Sequence, residues 1–163
     1  MRVGTFLGIL GMGLAFPLAG APGEQAAREA EQRVHELRKE KRYKEALAYL
    51  DLAVKESPDS GNLRGLYCWI YLDDLKEPKS ALDQALRLKQ DLPKHRGGYY
   101  WSARAYEALG EYGECVATLD DFHPYGGDFD RDNVKASCYY KNGQLPEAIG
   151  ALPDEERLGD SYK

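Results

Sequence analysis

Residues 42–58 read RYKEALAYLDLAVKESP, and three later segments align with them: PKSALDQALRLKQDLP (78–93), EYGECVATLDDFHPYG (111–126) and QLPEAIGALP (144–153). Each holds one small residue at the same place: Ala46, Ala81, Cys115 and Ala148. The intervals between them are 35, 34 and 33 residues. A period of this length marks a repeat architecture, so self-similarity decides the fold class before any single element does. In the first three segments apolar or small residues follow at +1, +4 and +7, the spacing of one helix face. Pro58 and Pro93 each stand 12 residues after the small one and end their helices.

A turn and another helix precede each of these segments. The turns read Leu75-Lys76-Glu77-Pro78, Leu109-Gly110-Glu111 and Asn142-Gly143. Ahead of them, Ala30, Val34 and Leu37 keep helical spacing, as do Tyr99, Ala103 and Tyr106. Tyr67 or Cys68 with Tyr71 and Leu75 plays the part in the second unit, Ala136 and Tyr139 in the fourth. The chain therefore reads as all-α: four antiparallel helix pairs, stacked so that each covers an apolar face its neighbour cannot bury alone. Small residues let crossing helices approach to about 8–10 Å.

This pattern resembles the tetratricopeptide repeat, a 34-residue helix–turn–helix. The match is carried by Tyr43 preceding Lys44-Glu45-Ala46-Leu47, by Gly110-Glu111-Tyr112 and by Glu147-Ala148-Ile149. It covers about residues 25–153. The family's first-helix Trp-Leu-Gly is absent, the second unit has a lengthened turn, and the fourth lacks the terminal Pro at its usual place. The resemblance implies a right-handed solenoid of about four repeats. It also implies a non-catalytic adaptor or scaffold that binds a protein or peptide on a concave face lined by the first helix of each pair. The family's groove positions fall on Arg28, Glu31, His35 and Arg38, on Tyr100, Arg104 and Glu107, and on Asn133, Ser137, Tyr140 and Lys141. In the second unit one register puts Trp69 and Asp73 in the groove, the other Leu66, Ile70 and Asp73. The expected partner-binding set is Trp69, Asp73, Tyr100, Arg104, Tyr140 and Lys141. The clamp of Lys, Asn and Arg with which some members grip a terminal carboxylate is replaced here by Glu31, His35, Tyr67, Gly97 and Trp101, so that ligand class is not expected.

Residues 1–21, MRVGTFLGILGMGLAFPLAGA, stand apart from the repeat domain at 22–163. Arg2 is their only charge, an apolar and Gly-rich stretch follows, and Ala19-Gly20-Ala21 resembles a signal-peptidase site. Pro22 after the cut disfavours cleavage, and Ala21 stands where a lipobox would need Cys. A cleaved signal and a retained membrane anchor both remain open. Either places the repeats outside the cytoplasm (periplasmic or extracellular) or against a membrane.

The 163 residues are 43% hydrophobic and 30% charged, with a net charge of -5. A domain of this length buries roughly 70% of its unfolded surface and needs no staple. The acidic balance argues against sequence-independent nucleic-acid binding. Residues 24–96 carry 15 basic and 14 acidic side chains, residues 97–163 carry 6 and 13. Such asymmetry can orient a partner or a membrane surface. His35, His95 and His123 have no metal-ligand spacing and read as solvated surface. Asp128-Phe129-Asp130-Arg131-Asp132 opens like a calcium loop, but Asn133 and Tyr139 occupy the places of its Gly and Glu. It reads better as a helix start. Gly97-Gly98 and Gly126-Gly127 read as turns, not phosphate loops. Cys68 and Cys115 read as buried thiols, with a Cys115–Cys138 bridge as the alternative. No catalytic residue, cofactor, metal or small-molecule substrate is expected. The competing classes are a structural subunit of a membrane-associated complex, with residues 1–21 as anchor, and a small hydrolytic enzyme using scattered carboxylates.

Overall fold

The computed structural model describes residues 22–122 and 129–152. These form eight α-helices and no strand: α1 (Pro22–Lys39), α2 (Tyr43–Glu56), α3 (Gly61–Trp69), α4 (Pro78–Asp91), α5 (Arg96–Leu109), α6 (Tyr112–Asp120), α7 (Phe129–Lys141) and α8 (Leu145–Ala151). The signal or anchor segment, His123, Gly126-Gly127, the opening of the acidic loop and the tail from 153 lie outside the described residues. Among the described ones no helix is long and apolar enough to cross a membrane.

One backbone feature carries the period through the chain. Lys41, Lys76, Gly110 and Gly143 have φ of 59°, 59°, 80° and 78°. Each stands five residues before its unit's small residue. In three of these turns the N–H after the left-handed residue closes back over the helix end. Arg42 donates to Leu37, Glu111 to Tyr106 and Gln144 to Tyr139, each at 2.9 Å. This is the Schellman arrangement, which satisfies carbonyls that a helix end would otherwise strand. In the second unit Glu77 donates to Tyr71 at 2.7 Å, a span one residue longer. The extra residue is taken up inside the helix, because α3 continues through Ile70–Asp74 as a π-helical turn. The turn at residues 75–77 is no longer than that at 40–42. The expected lengthened turn is thus corrected: winding a residue into a π turn keeps its N–H bonded and leaves the connection short.

Helix ends follow local chemistry. Ser60 caps α3 by accepting from the Leu63 N–H at 3.3 Å. Pro78 opens α4, where its missing N–H costs nothing. Both α2 and α4 stop two residues before a Pro, and Ser57 and Leu92 leave the helical region at φ -131° and -128°.

Ala46, Ala81 and Cys115 are fully buried and Ala148 nearly so, as their spacing predicts. Val34, Leu50, Leu63 and Ile70 fill a core shared by α1, α2 and α3. Leu72 of the π turn, Ala81 of α4 and Ala105 of α5 pack together, and Ala103, Cys115, Leu119 and Cys138 join α5, α6 and α7. The first helix of each pair also touches the first helix of the next: α1 with α3, α3 with α5, α5 with α7.

Two sequence readings change here. Gly97 and Gly98 are not a turn but buried residues in the first turn of α5. A Cβ on Gly98 would stand 2.7 Å from the backbone of Lys89, so glycine is what lets α5 lie against α4. Cys115 is not a thiol. It is bonded to Cys138 with an S–S distance of 1.99 Å and Cα atoms 6.4 Å apart, joining α6 to α7. Cys68 is buried and free, and burial pushes its thiol up to about 12. At the far end α8 buries only Ala148. Ile149 is 71% exposed, with Leu145 and Leu152 about half exposed.

Candidate functional site

The row of first helices gathers most of the expected groove residues into one ladder of cross-helix contacts. From α1, Arg38 lies over the Trp69 ring at 3.7 Å and its Nε donates to Asp74 at 2.5 Å. His35, one turn earlier, meets the same indole edge-on at 5.4 Å. Across the next step, Arg104 Nη2 of α5 donates to Asp73 Oδ1 at 2.9 Å. At the last step Glu107 accepts from Ser137 Oγ at 2.6 Å and from Lys141 Nζ at 2.8 Å.

The π turn is what makes the first two steps meet. It brings Asp73 toward α5 and Asp74 toward α1, so neighbouring carboxylates serve opposite sides. Trp69 is half-buried and Asp73 faces Arg104, while Ile70 is fully buried and takes no place on this face. Leu66 lines a pocket beside the ladder.

Electrostatics on the ladder are balanced pair by pair. Burial alone would lower the Arg104 value, but the Tyr100 hydroxyl and the Asp73 carboxylate outweigh it and hold the guanidinium more firmly charged than usual. Trp101, the residue after Tyr100, has its ring 5.7 Å from the same guanidinium. Of the expected partner-binding residues, Trp69, Asp73, Tyr100, Arg104 and Lys141 fall on this ladder or its pocket. Tyr140 is 65% exposed and stands apart from the ladder's hydrogen bonds and ring contacts.

Beside the ladder, α1, α3 and the start of α5 enclose an open pocket of about 280 Å³. Its walls include Glu31, Leu66, Trp69, His95, Arg96, Tyr100 and Trp101. Gly61 and Gly65 form its floor on α3 and leave room for aromatic rings. A Cβ on Gly61 would strike the His95 ring at 2.3 Å, and one on Gly65 would stand 3.1 Å from the Trp101 indole nitrogen. His95 is no solvated surface residue, contrary to the sequence reading. It caps α5, its Nδ1 accepting the Gly97 N–H at 3.1 Å. Burial, helped by the Arg96 charge, lowers its pKa below the ordinary imidazole value, which keeps that nitrogen an acceptor.

Sequence reasoning missed this pocket. Histidine is not among the favoured caps, and Trp101 enters the sequence reading only as a place where the carboxylate clamp is lost. A signal was present in the i, i+4 pair Gly61 and Gly65, a spacing that puts two gaps on one helix face. Among the described residues no three of His, Cys, Asp and Glu gather as metal ligands. The arrangement offers aromatic surface, fixed charges and an open recess of about 280 Å³.

No protein-family model matches the chain. A search of curated proteins also finds no match.

Proposed function

We propose that this chain is a non-catalytic interaction module of the tetratricopeptide type, a right-handed solenoid of four helix pairs that holds a protein or peptide on the face of its first helices. The observation that carries this reading is the ladder itself. Positions assigned to a groove by the repeat pattern alone, on α1, α3, α5 and α7, interact in sequence from helix to helix. Trp, Tyr and Arg, the residue types that most often dominate interfaces, are concentrated there. We further propose that the module works outside the cytoplasm or against a membrane. The leader-like character of residues 1–21 and the Cys115–Cys138 bridge support this, since structural disulfides persist in oxidising compartments.

The test is recovery of the native partner by the full chain and by its Tyr100→Ala variant. Loss of about 1–2 kcal/mol of binding, with an unchanged melting temperature, is the expected result. Equal recovery by both proteins overturns the assignment of the face.

A further inference from the structure

We propose that the pocket walled by Trp69, Tyr100 and Trp101, with the Glu31 carboxylate in its lining, receives an arginine side chain of the bound partner. This deepens the proposed function and rests on the first-helix face being the binding face.

Size comes first. At about 280 Å³ and open to solvent, the recess lies just below the roughly 300–1,000 Å³ of small-molecule sites. It suits one long side chain entering from a peptide. The chain has two tryptophans, and both line this pocket. Indole and phenol faces attract cations, most strongly when water is partly excluded. The same two indoles already accept guanidinium groups from within the protein, Arg38 over Trp69 and Arg104 over Trp101.

Charge then selects the occupant. The cations of the ladder are each matched by a carboxylate: Arg38 by Asp74, Arg104 by Asp73, Lys141 by Glu107. On α1, Arg28 pairs with Glu24, and the His35 ring rests against Trp69. Glu31, half-buried in the pocket wall, has no ion pair or hydrogen bond among the described residues. Of the two basic residues in the lining, His95 spends Nδ1 on the Gly97 N–H and is held neutral, and Arg96 is exposed and has an interaction of its own. The carboxylate therefore lacks a counter-charge that a ligand can supply. A guanidinium fits better than an ammonium. Its plane stacks on indole while its N–H edge engages a carboxylate, two demands a compact ammonium meets less well.

The two indole N–H signals of the ¹⁵N-labelled full chain report on this pocket directly. The probes are an end-capped glycine pentapeptide with a central arginine, the same peptide with the uncharged isostere citrulline, and one with a central glutamate. Arginine is expected to shift both indole signals saturably, in the millimolar range of a single side-chain contact. Citrulline is expected to bind about fivefold more weakly or worse, and Glu31→Gln to weaken the arginine peptide by a similar factor with the rest of the spectrum unchanged. Equal binding of arginine and citrulline, indifference to Glu31→Gln, or no saturable indole shift overturns the proposal. If the citrulline or glutamate peptide instead perturbs the Tyr100 and Arg104 amides, the face binds and only the arginine preference falls. If no peptide perturbs any residue of the face, the arginine pocket falls, and recovery of the native partner by Tyr100→Ala decides the binding face separately.

Discussion

The guanidinium of Arg38 stacks on Trp69 at 3.7 Å while its Nε holds Asp74 at 2.5 Å, so one side chain of α1 grips both ends of the π-helical turn. The ion pair is 11% and 18% exposed, which puts it between a surface pair and a buried one. Removing one partner strands the other charge in a poorly solvated site. Arg38→Ala and Asp74→Ala should each cost about 2–3 kcal/mol in denaturant unfolding. The double variant should cost clearly less than their sum, and additivity within error would refute the coupling.

Lys41 and Lys76 adopt φ of 59° without glycine's freedom. A left-handed residue with a Cβ costs roughly 1–2 kcal/mol, partly offset by glycine's greater unfolded entropy. Lys41→Gly and Lys76→Gly should each stabilise the fold by about 0.5–1 kcal/mol. A lowered denaturation midpoint in either would contradict this account of the turns.

The Cys115–Cys138 bridge closes a segment with a sequence separation of 23. Loop-closure entropy for that length gives about 3 kcal/mol of stabilisation. The double variant Cys115→Ala/Cys138→Ala should lose a comparable amount. Cys68 should stay inert to a thiol reagent until the chain unfolds, because it is buried and its thiol is pushed up to about 12. Labelling of native protein at one thiol per chain would show that α3 opens.

His95 has a lowered pKa in the folded chain, from burial first and the Arg96 charge second. The folded state therefore favours neutral imidazole. Its contribution is fully present above the ordinary value of 6.5 and is lost as pH falls through the lower folded value. Protonation also removes the acceptor that caps α5. Stability of the wild type should decline on this acid limb. His95→Asn supplies a side-chain oxygen as acceptor and no titratable group, so it should flatten the limb. An unchanged slope in His95→Asn would assign the pH dependence elsewhere.

The last helix is held by little. α8 has seven residues, buries Ala148 alone and leaves Ile149 71% exposed. Its amides should exchange fastest among the described helices. Ile149→Asp should change stability by no more than about 0.5 kcal/mol in the isolated chain. Strong protection across residues 145–151 would show that another element covers this end.

The sequence alone determined the period and most helix ends, though not the π turn, the His95 cap or the place of Gly97 and Gly98 inside α5. Period, pairing and helix ends depend on residues close along the chain, so Ala46, Ala81, Cys115 and Ala148, the turns at Gly110 and Gly143, and the stops before Pro58 and Pro93 were all legible. Most residues of the contact ladder were legible too, because first-helix positions recur with the same period. Tertiary structure decided whatever depends on the rotation of one helix against another. The π turn was invisible in composition, yet it aims Asp73 and Asp74 at different helices, and Ile70 is buried while Trp69 stays half-buried. Which cysteines pair required Cα atoms 6.4 Å apart across α6 and α7. The arginine-sized recess exists because Gly61 and Gly65 give His95 and Trp101 room. A glycine reads in sequence as freedom of the backbone, and only packing reveals when it is a vacancy another side chain fills.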